Sequence, residues 1–177
     1  YGKQWRDWRG PDGRRYDQIA DLITMLRETP ASRRMLFHGW NVPDLASMAL
    51  PPCHTLYQCY VSSGDSSSKS RLSLLIYMRS NDILLGTAFN IFGGAALLRM
   101  LADQAGLMPG ELIYMGADAH LYLNHLDQAR EQITRVPRPF PKLKIAPGVA
   151  SIDDYRFEHF TVTGYDPHPA IKADVAV

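Results

Sequence analysis

Residues 51–54, Pro-Pro-Cys-His, place a thiol directly after two prolines and before an imidazole. A thiolate attacks, whereas a free thiol with a pKa of about 8.5 is mostly protonated at neutral pH. Cys53 therefore needs a cation or a helix N-terminus nearby to act as a nucleophile. His54 follows it, but successive residues of a strand point to opposite faces, so His54 is not automatically the base. The alternative for Cys53 is a small core residue, a common fate of free cysteine. Cys59, six positions on among apolar residues, reads as core.

Other residues could recognise a ligand. Arg33-Arg34 after Ser32, and Arg79-Ser80, combine planar guanidinium donors with hydroxyls and suit a phosphate. The alternative is a solvated face with ion pairs. The Asn90 amide can accept and donate at once, which matches the N3–H and O4 edge of uracil. Its alternative is a helix N-cap, because a helical run follows. His120 and Tyr122 alternate along a predicted strand and could hold a sugar hydroxyl, or pack as a core pair.

The elements that must position these residues follow from periodicity. Ile19, Leu22, Ile23 and Leu26 have helical spacing within 16–28, ended by Thr29-Pro30. Strand character marks 33–42, 54–61 and 71–78, the last apolar enough for a buried strand. Residues 43–50 suit a short helix. A polar stretch at 62–70 reads as a loop. Residues 79–90 break the pattern with charged and small residues. Residues 91–107 are apolar on most sides and predict a buried helix, in which Gly93-Gly94 implies close approach of a backbone or ligand. A strand is predicted at 110–125, a helix at 126–135, and strands near 141–146 and 157–163 around a turn at Pro147-Gly148. The pattern is α+β: a mixed, largely buried sheet packed on helices.

Composition sets outer bounds. The 177 residues suffice for one domain with a sizeable core, and no repeat or long linker divides them. A net charge of +1 gives no sign of nucleic-acid or membrane binding. No apolar run approaches the roughly 20 residues of a membrane span. Two cysteines give neither a disulfide framework nor a zinc spacing, so no metal is expected and a cytoplasmic location is. The opening "YGKQWRDWRGPDG" lacks Met and is already rich in aromatic and charged residues. The expectation is a single domain, 1–177, without its N-terminal portion.

The motifs together resemble the folate-dependent thymidylate synthases. The blocks are "YGKQWR", "SRR", "MALPPCH", "RS-D--LG--FNI", "G-D-HLY-NH-DQ" and "GYDPHP-IKA-VAV", and they run from Tyr1 to Val177. The resemblance implies reductive methylation of dUMP to dTMP by 5,10-methylenetetrahydrofolate, with dihydrofolate released. It makes Cys53 the nucleophile at C6 of the pyrimidine. It assigns Arg79 and Ser80 to the nucleotide phosphate, Asn90 to the uracil edge, and His120 and Tyr122 to the ribose. Asp82 would bind the pterin, with Leu50, Leu85, Gly86 and Phe89 lining the folate pocket beside Tyr122. Tyr1 would assist loss of the C5 proton, and Ala176 and Val177 would close over the site. Arg33 and Arg34 would reach the phosphate in the neighbouring subunit of a homodimer formed through the sheet.

The sequence also departs from the family pattern. Met78 stands at a usual Gln, Ala88 at a usual Pro, Gly93-Gly94 at a usual Ser-Tyr, Ala117 at a usual Gly and Asp174 at a usual Pro. Related hydroxymethylases let water capture the same methylene, so a dUMP hydroxymethylase is the alternative reading. Asn90 argues against a cytosine substrate, for which an Asp is usual there. Some synthases of this family bind their own message, but nothing in this sequence indicates it.

Overall fold

The structure is a computed structural model that describes residues 1–64 and 69–176. Part of the predicted 62–70 loop therefore lies outside the described residues.

Chemistry near the N-terminus fixes the first helices. α1 (Gly2–Arg6) leads into a short hairpin of β1 (Trp8–Arg9) and β2 (Arg15–Tyr16). α2 (Gln18–Glu28) starts at Asp17, whose carboxylate accepts from the backbone amides of Ile19 and Ala20. Such a cap satisfies amides that have no intrahelical partner. The predicted stripe Ile19, Leu22, Ile23 and Leu26 is buried. Arg6 ties this end together by reaching both Asp17 and Asp153.

The central sheet has the order β3-β4-β5-β6: β3 (Leu36–His38), β4 (His54–Ser62), β5 (Arg71–Asp82) and β6 (Met108–His120). The first three are antiparallel, and β6 runs parallel to β5 after the crossover helix α3 (Thr87–Gln104). This is the expected mixed α+β arrangement. Between β3 and β4, Val42–Ser47 forms a 3-10 helix where the short helix was expected. α4 (Leu126–Ile133) and a separate hairpin of β7 (Lys142–Ile145) and β8 (Phe160–Thr163) follow. Residues 165–176 then run back along α4 without regular structure. No described helix is long and apolar enough to cross a membrane.

Burial is one-sided. Leu72, Leu74, Ile76 and Met78 of β5 face α2 and α3 and are almost wholly buried. The opposite sheet face leaves Leu36, Tyr60, Tyr77, Ile113 and Met115 exposed.

Three expectations need correction. β5 does not stop at Met78: Ser80, Asn81 and Asp82 continue the ladder opposite Asp118, Ala119 and His120. Backbone pairing with a parallel neighbour overrides the weak strand propensity of these residues. α3 begins at Thr87 and is not buried all round, since Phe89 is 79% and Phe92 49% exposed. Only one of its faces meets β5 and β6. The close approach expected of Gly93-Gly94 is confined to Gly94, where a Cβ would lie 2.4 Å from Ile76 Cδ1, whereas one on Gly93 would meet nothing within 4 Å.

Candidate active site

The parallel strands β5 and β6 end side by side, and their last residues, with the start of α3 and the loop before β4, enclose a cleft of about 830 Å³. Cys53, Arg79, Ser80, Asp82 and Asn90 line it. His120, Tyr122 and Ala176 line it from β6 and the tail, and Tyr1, Leu50 and Gly86 also contribute.

Cys53 sits in the loop because Pro51 and Pro52 cannot donate to a ladder, so β4 begins only at His54. Arg79 holds that loop. Its Nε donates to the Pro52 carbonyl at 3.0 Å and its Nη2 to the Pro51 carbonyl at 2.8 Å. Its backbone amide donates to the Cys53 carbonyl at 3.1 Å, and its guanidinium lies 5.6 Å from the Trp40 ring. A permanent cation is thus built against the loop that carries a partly exposed thiol. Cys59, by contrast, is buried on β4, and burial pushes its thiol up to about 12. It is packing, as expected.

A chain of hydrogen bonds runs behind the cleft. Burial pushes the His54 imidazole below its ordinary value, partly offset by its bond with Asn90, so the ring is neutral near pH 7. A neutral imidazole has one donor and one acceptor. His54 Nδ1 accepts from the Tyr57 hydroxyl at 2.5 Å, and Nε2–H donates to Asn90 Oδ1 at 3.2 Å. Asn90 Nδ2 donates to the Tyr114 hydroxyl at 3.4 Å, and Tyr114 donates to Asn81 Oδ1 at 2.7 Å. The Thr87 hydroxyl, with a single hydrogen to donate, lies 3.1 Å from both this oxygen and the Asp82 carbonyl. Asn90 is therefore not an N-cap. Gly86 holds that position, and the Asn90 amide closes the first turn on the Gly86 carbonyl.

Asp82 uses Oδ1 to accept from the backbone amides of Leu84 and Leu85, which shapes the turn into α3. His120 is the last residue of β6, and Tyr122 lies beyond it, so the two do not alternate on one strand. Their rings still meet edge to face at 5.0 Å.

Not every expected residue joins the cleft. Leu85 and Phe89 line a separate groove of about 580 Å³ against Tyr165, Pro167 and Pro169. Arg33 lines a cavity of about 730 Å³ on the open sheet face, with Arg71 and Glu111, and Arg34 is exposed beside it in sequence. Val177 lies outside the described residues.

Sequence reasoning passed over His54, Asn81 and Tyr114. The alternation argument set His54 aside, yet it fails here because Cys53 precedes the strand and the ladder is irregular between His54 and Leu56. The prolines were the available signal. Asn81 and Tyr114 gave none, since they lie 33 positions apart and Tyr114 lies 24 from Asn90. Among the described residues, no group of three or more His, Cys, Asp or Glu could hold a metal ion.

Comparison with known proteins gives a consistent result. The family described as thymidylate synthase matches residues 1–177. A thymidylate synthase of Cereibacter sphaeroides is 60% identical over all 177 residues, and one of Rhodopseudomonas palustris is likewise 60% identical. One of Zymomonas mobilis is 56% identical. The chain spans 58% of the length of each of these relatives.

Proposed function

Because the chain belongs to the thymidylate synthase family, we propose that it serves the reductive methylation of dUMP to dTMP, with 5,10-methylenetetrahydrofolate as one-carbon and hydride donor. The observation that carries this reading is the convergence of Cys53, Arg79, Ser80, Asn90, His120 and Tyr122 on one cleft.

Each side chain has a task suited to its chemistry. Cys53 adds to C6 of the pyrimidine, which makes C5 carbanion-like and able to take up the methylene; covalent addition divides one hard alkylation into easier steps. Arg79 favours the thiolate and, with Ser80, holds the nucleotide phosphate. A clamp remote from C5 supplies orientation rather than chemistry. Asn90 reads the uracil edge, and His120 and Tyr122 take the ribose hydroxyl. Asp82, Leu50 and Gly86 form the folate side, with Leu85 and Phe89 approaching from the neighbouring groove. Tyr1 assists departure of the C5 proton; its ring lies 4.8 Å from that of His54. Ala176 and Val177 close the site, and excluding water leaves hydride as the group that completes the methyl.

We place this chemistry in a homodimer. Arg33 and Arg34 serve the phosphate of the adjoining subunit. Their distance from the cleft and the apolar open face of the sheet support that arrangement. The hydroxymethylase alternative has no observation of its own.

The test is product mass after incubation of the full-length protein with dUMP and methylenetetrahydrofolate. A methylated nucleotide with dihydrofolate is expected. A hydroxymethyl product with tetrahydrofolate returned would overturn the synthase reading, and no product would overturn the enzyme.

A further inference from the structure

Gln4 and Asn41 are each 3% exposed, and their side-chain amides meet. Asn41 Nδ2 donates to Gln4 Oε1 at 2.9 Å, and Gln4 Nε2 donates to Asp44 Oδ2 at 2.7 Å. The second hydrogen of Asn41 Nδ2 points to the same carboxylate oxygen at 3.3 Å. A carboxylate only accepts, so it fixes the direction of both amides: each must turn its NH2 group towards Asp44. The Gln4 carbonyl, in turn, accepts from Gln18 Nε2 at 2.8 Å.

These bonds join two segments that each deliver residues to the cleft. α1 begins at Tyr1, whose carbonyl accepts from the Trp5 amide at 3.1 Å and whose ring lies 4.8 Å from that of His54. Asp44 belongs to the 3-10 helix Val42–Ser47, and the chain runs from that helix straight into Met48, Leu50 and Cys53, which line the cleft. The other contacts of α1 do not register it against that loop. Trp5 packs on Phe37 and Tyr57, an apolar contact without direction, and Arg6 pairs with Asp17 and Asp153 at the far end. Buried amides that are satisfied in one arrangement only can supply the register.

Resting on the reading of Tyr1 as the group that assists loss of the C5 proton, we propose that Gln4, through Asn41 and Asp44, sets α1 against the Cys53 loop and so holds Tyr1 in register with the nucleophile. Gln4 and Asn41 are positioning residues, and neither lines the cleft.

The test is turnover and dUMP affinity of the full-length protein carrying Gln4→Met, Gln4→Glu or Tyr1→Phe, and carrying each Gln4 substitution together with Tyr1→Phe. Gln4→Met keeps the bulk and loses the amide. Turnover should fall by up to about a hundredfold, the scale of a small misplacement of a reacting group, while the dUMP dissociation constant stays near parental. Gln4→Glu, the closest in shape, should be no better, because it offers Asp44 no donor. In the Tyr1→Phe background, where the hydroxyl is already gone, the Gln4 substitutions should cost little more. Asn41→Ala, put through the same cycle, should behave as Gln4→Met, and it replaces that variant if melting shows Gln4→Met to be unfolded. Losses that add in full to that of Tyr1→Phe would overturn this inference alone, and so would a folded Gln4→Met protein with parental turnover. A Tyr1→Phe protein with parental turnover would overturn it together with the reading of Tyr1.

Discussion

His125 donates from Nε2 to the carbonyl oxygen of Asp174 at 2.6 Å, across 49 positions of sequence. His125 is wholly buried, and its ring packs edge to face on Tyr122 at 5.6 Å. The bond therefore fastens the C-terminal tail beside a residue that lines the cleft. Gln128 and Arg135 hold the carbonyls of Lys172 and Pro169 along the same path.

His125→Ala should release this tail. Removing one partner of a buried hydrogen bond costs about 1–3 kcal/mol. Limited proteolysis should cut within 165–176 sooner than in the parent, and turnover should fall more than dUMP affinity. Unchanged protease resistance would show that the other anchors suffice.

The two cysteines should differ in reactivity. Cys53 is partly exposed beside the Arg79-held loop, whereas Cys59 is buried with its thiol pushed up to about 12. Brief iodoacetamide treatment at pH 8 should label Cys53 and leave Cys59 intact by peptide mass. Cys53→Ser should abolish methylation yet keep the fold, and Cys59→Ala should lower melting temperature with little effect on turnover.

Arg79→Lys should not substitute. An ammonium has no planar fork with which to serve the Pro51 and Pro52 carbonyls together. Alkylation of Cys53 should slow, and dUMP binding should weaken, in both Arg79→Lys and Arg79→Ala. A Lys variant with parental alkylation rate would show that charge alone prepares the thiol.

Acid should weaken the fold through His54. Burial holds its folded pKa below the unfolded value of 6.5. Between those two values the unfolded chain binds more protons, so stability falls as pH drops from about 6.5 towards the folded pKa. His38 is lowered by burial as well and adds in the same sense. His54→Gln should flatten the dependence of urea midpoint on pH across this window.

The adjacent glycines of α3 should respond oppositely to alanine. A Cβ at Gly93 meets nothing within 4 Å, so Gly93→Ala should stabilise by up to about 1 kcal/mol. A Cβ at Gly94 would lie 2.4 Å from Ile76 and 3.3 Å from Leu112. Gly94→Ala should destabilise by about 1–3 kcal/mol through overpacking. Chemical denaturation of the two single variants decides it.

The α2 stripe, the run of β4 and the core of β5 were all legible, because each depends on local periodicity. The ends of elements were less so. Asn90 looked like a cap, and Arg79–Asp82 looked like a break, until β6 paired with β5 and Gly86 began the helix.

By itself the sequence determined the α+β class, the family and the residue types able to do the chemistry, since motif order and spacing survive without coordinates. Tertiary structure alone decided which of those residues share a cleft. It brought His54, Asn90, Tyr114 and Asn81 into one hydrogen-bonded chain and left Arg33 on another face. The reason is physical: periodicity reports which face of an element is apolar, whereas the meeting of polar groups depends on how elements cross. That crossing is set by packing between residues far apart in the chain.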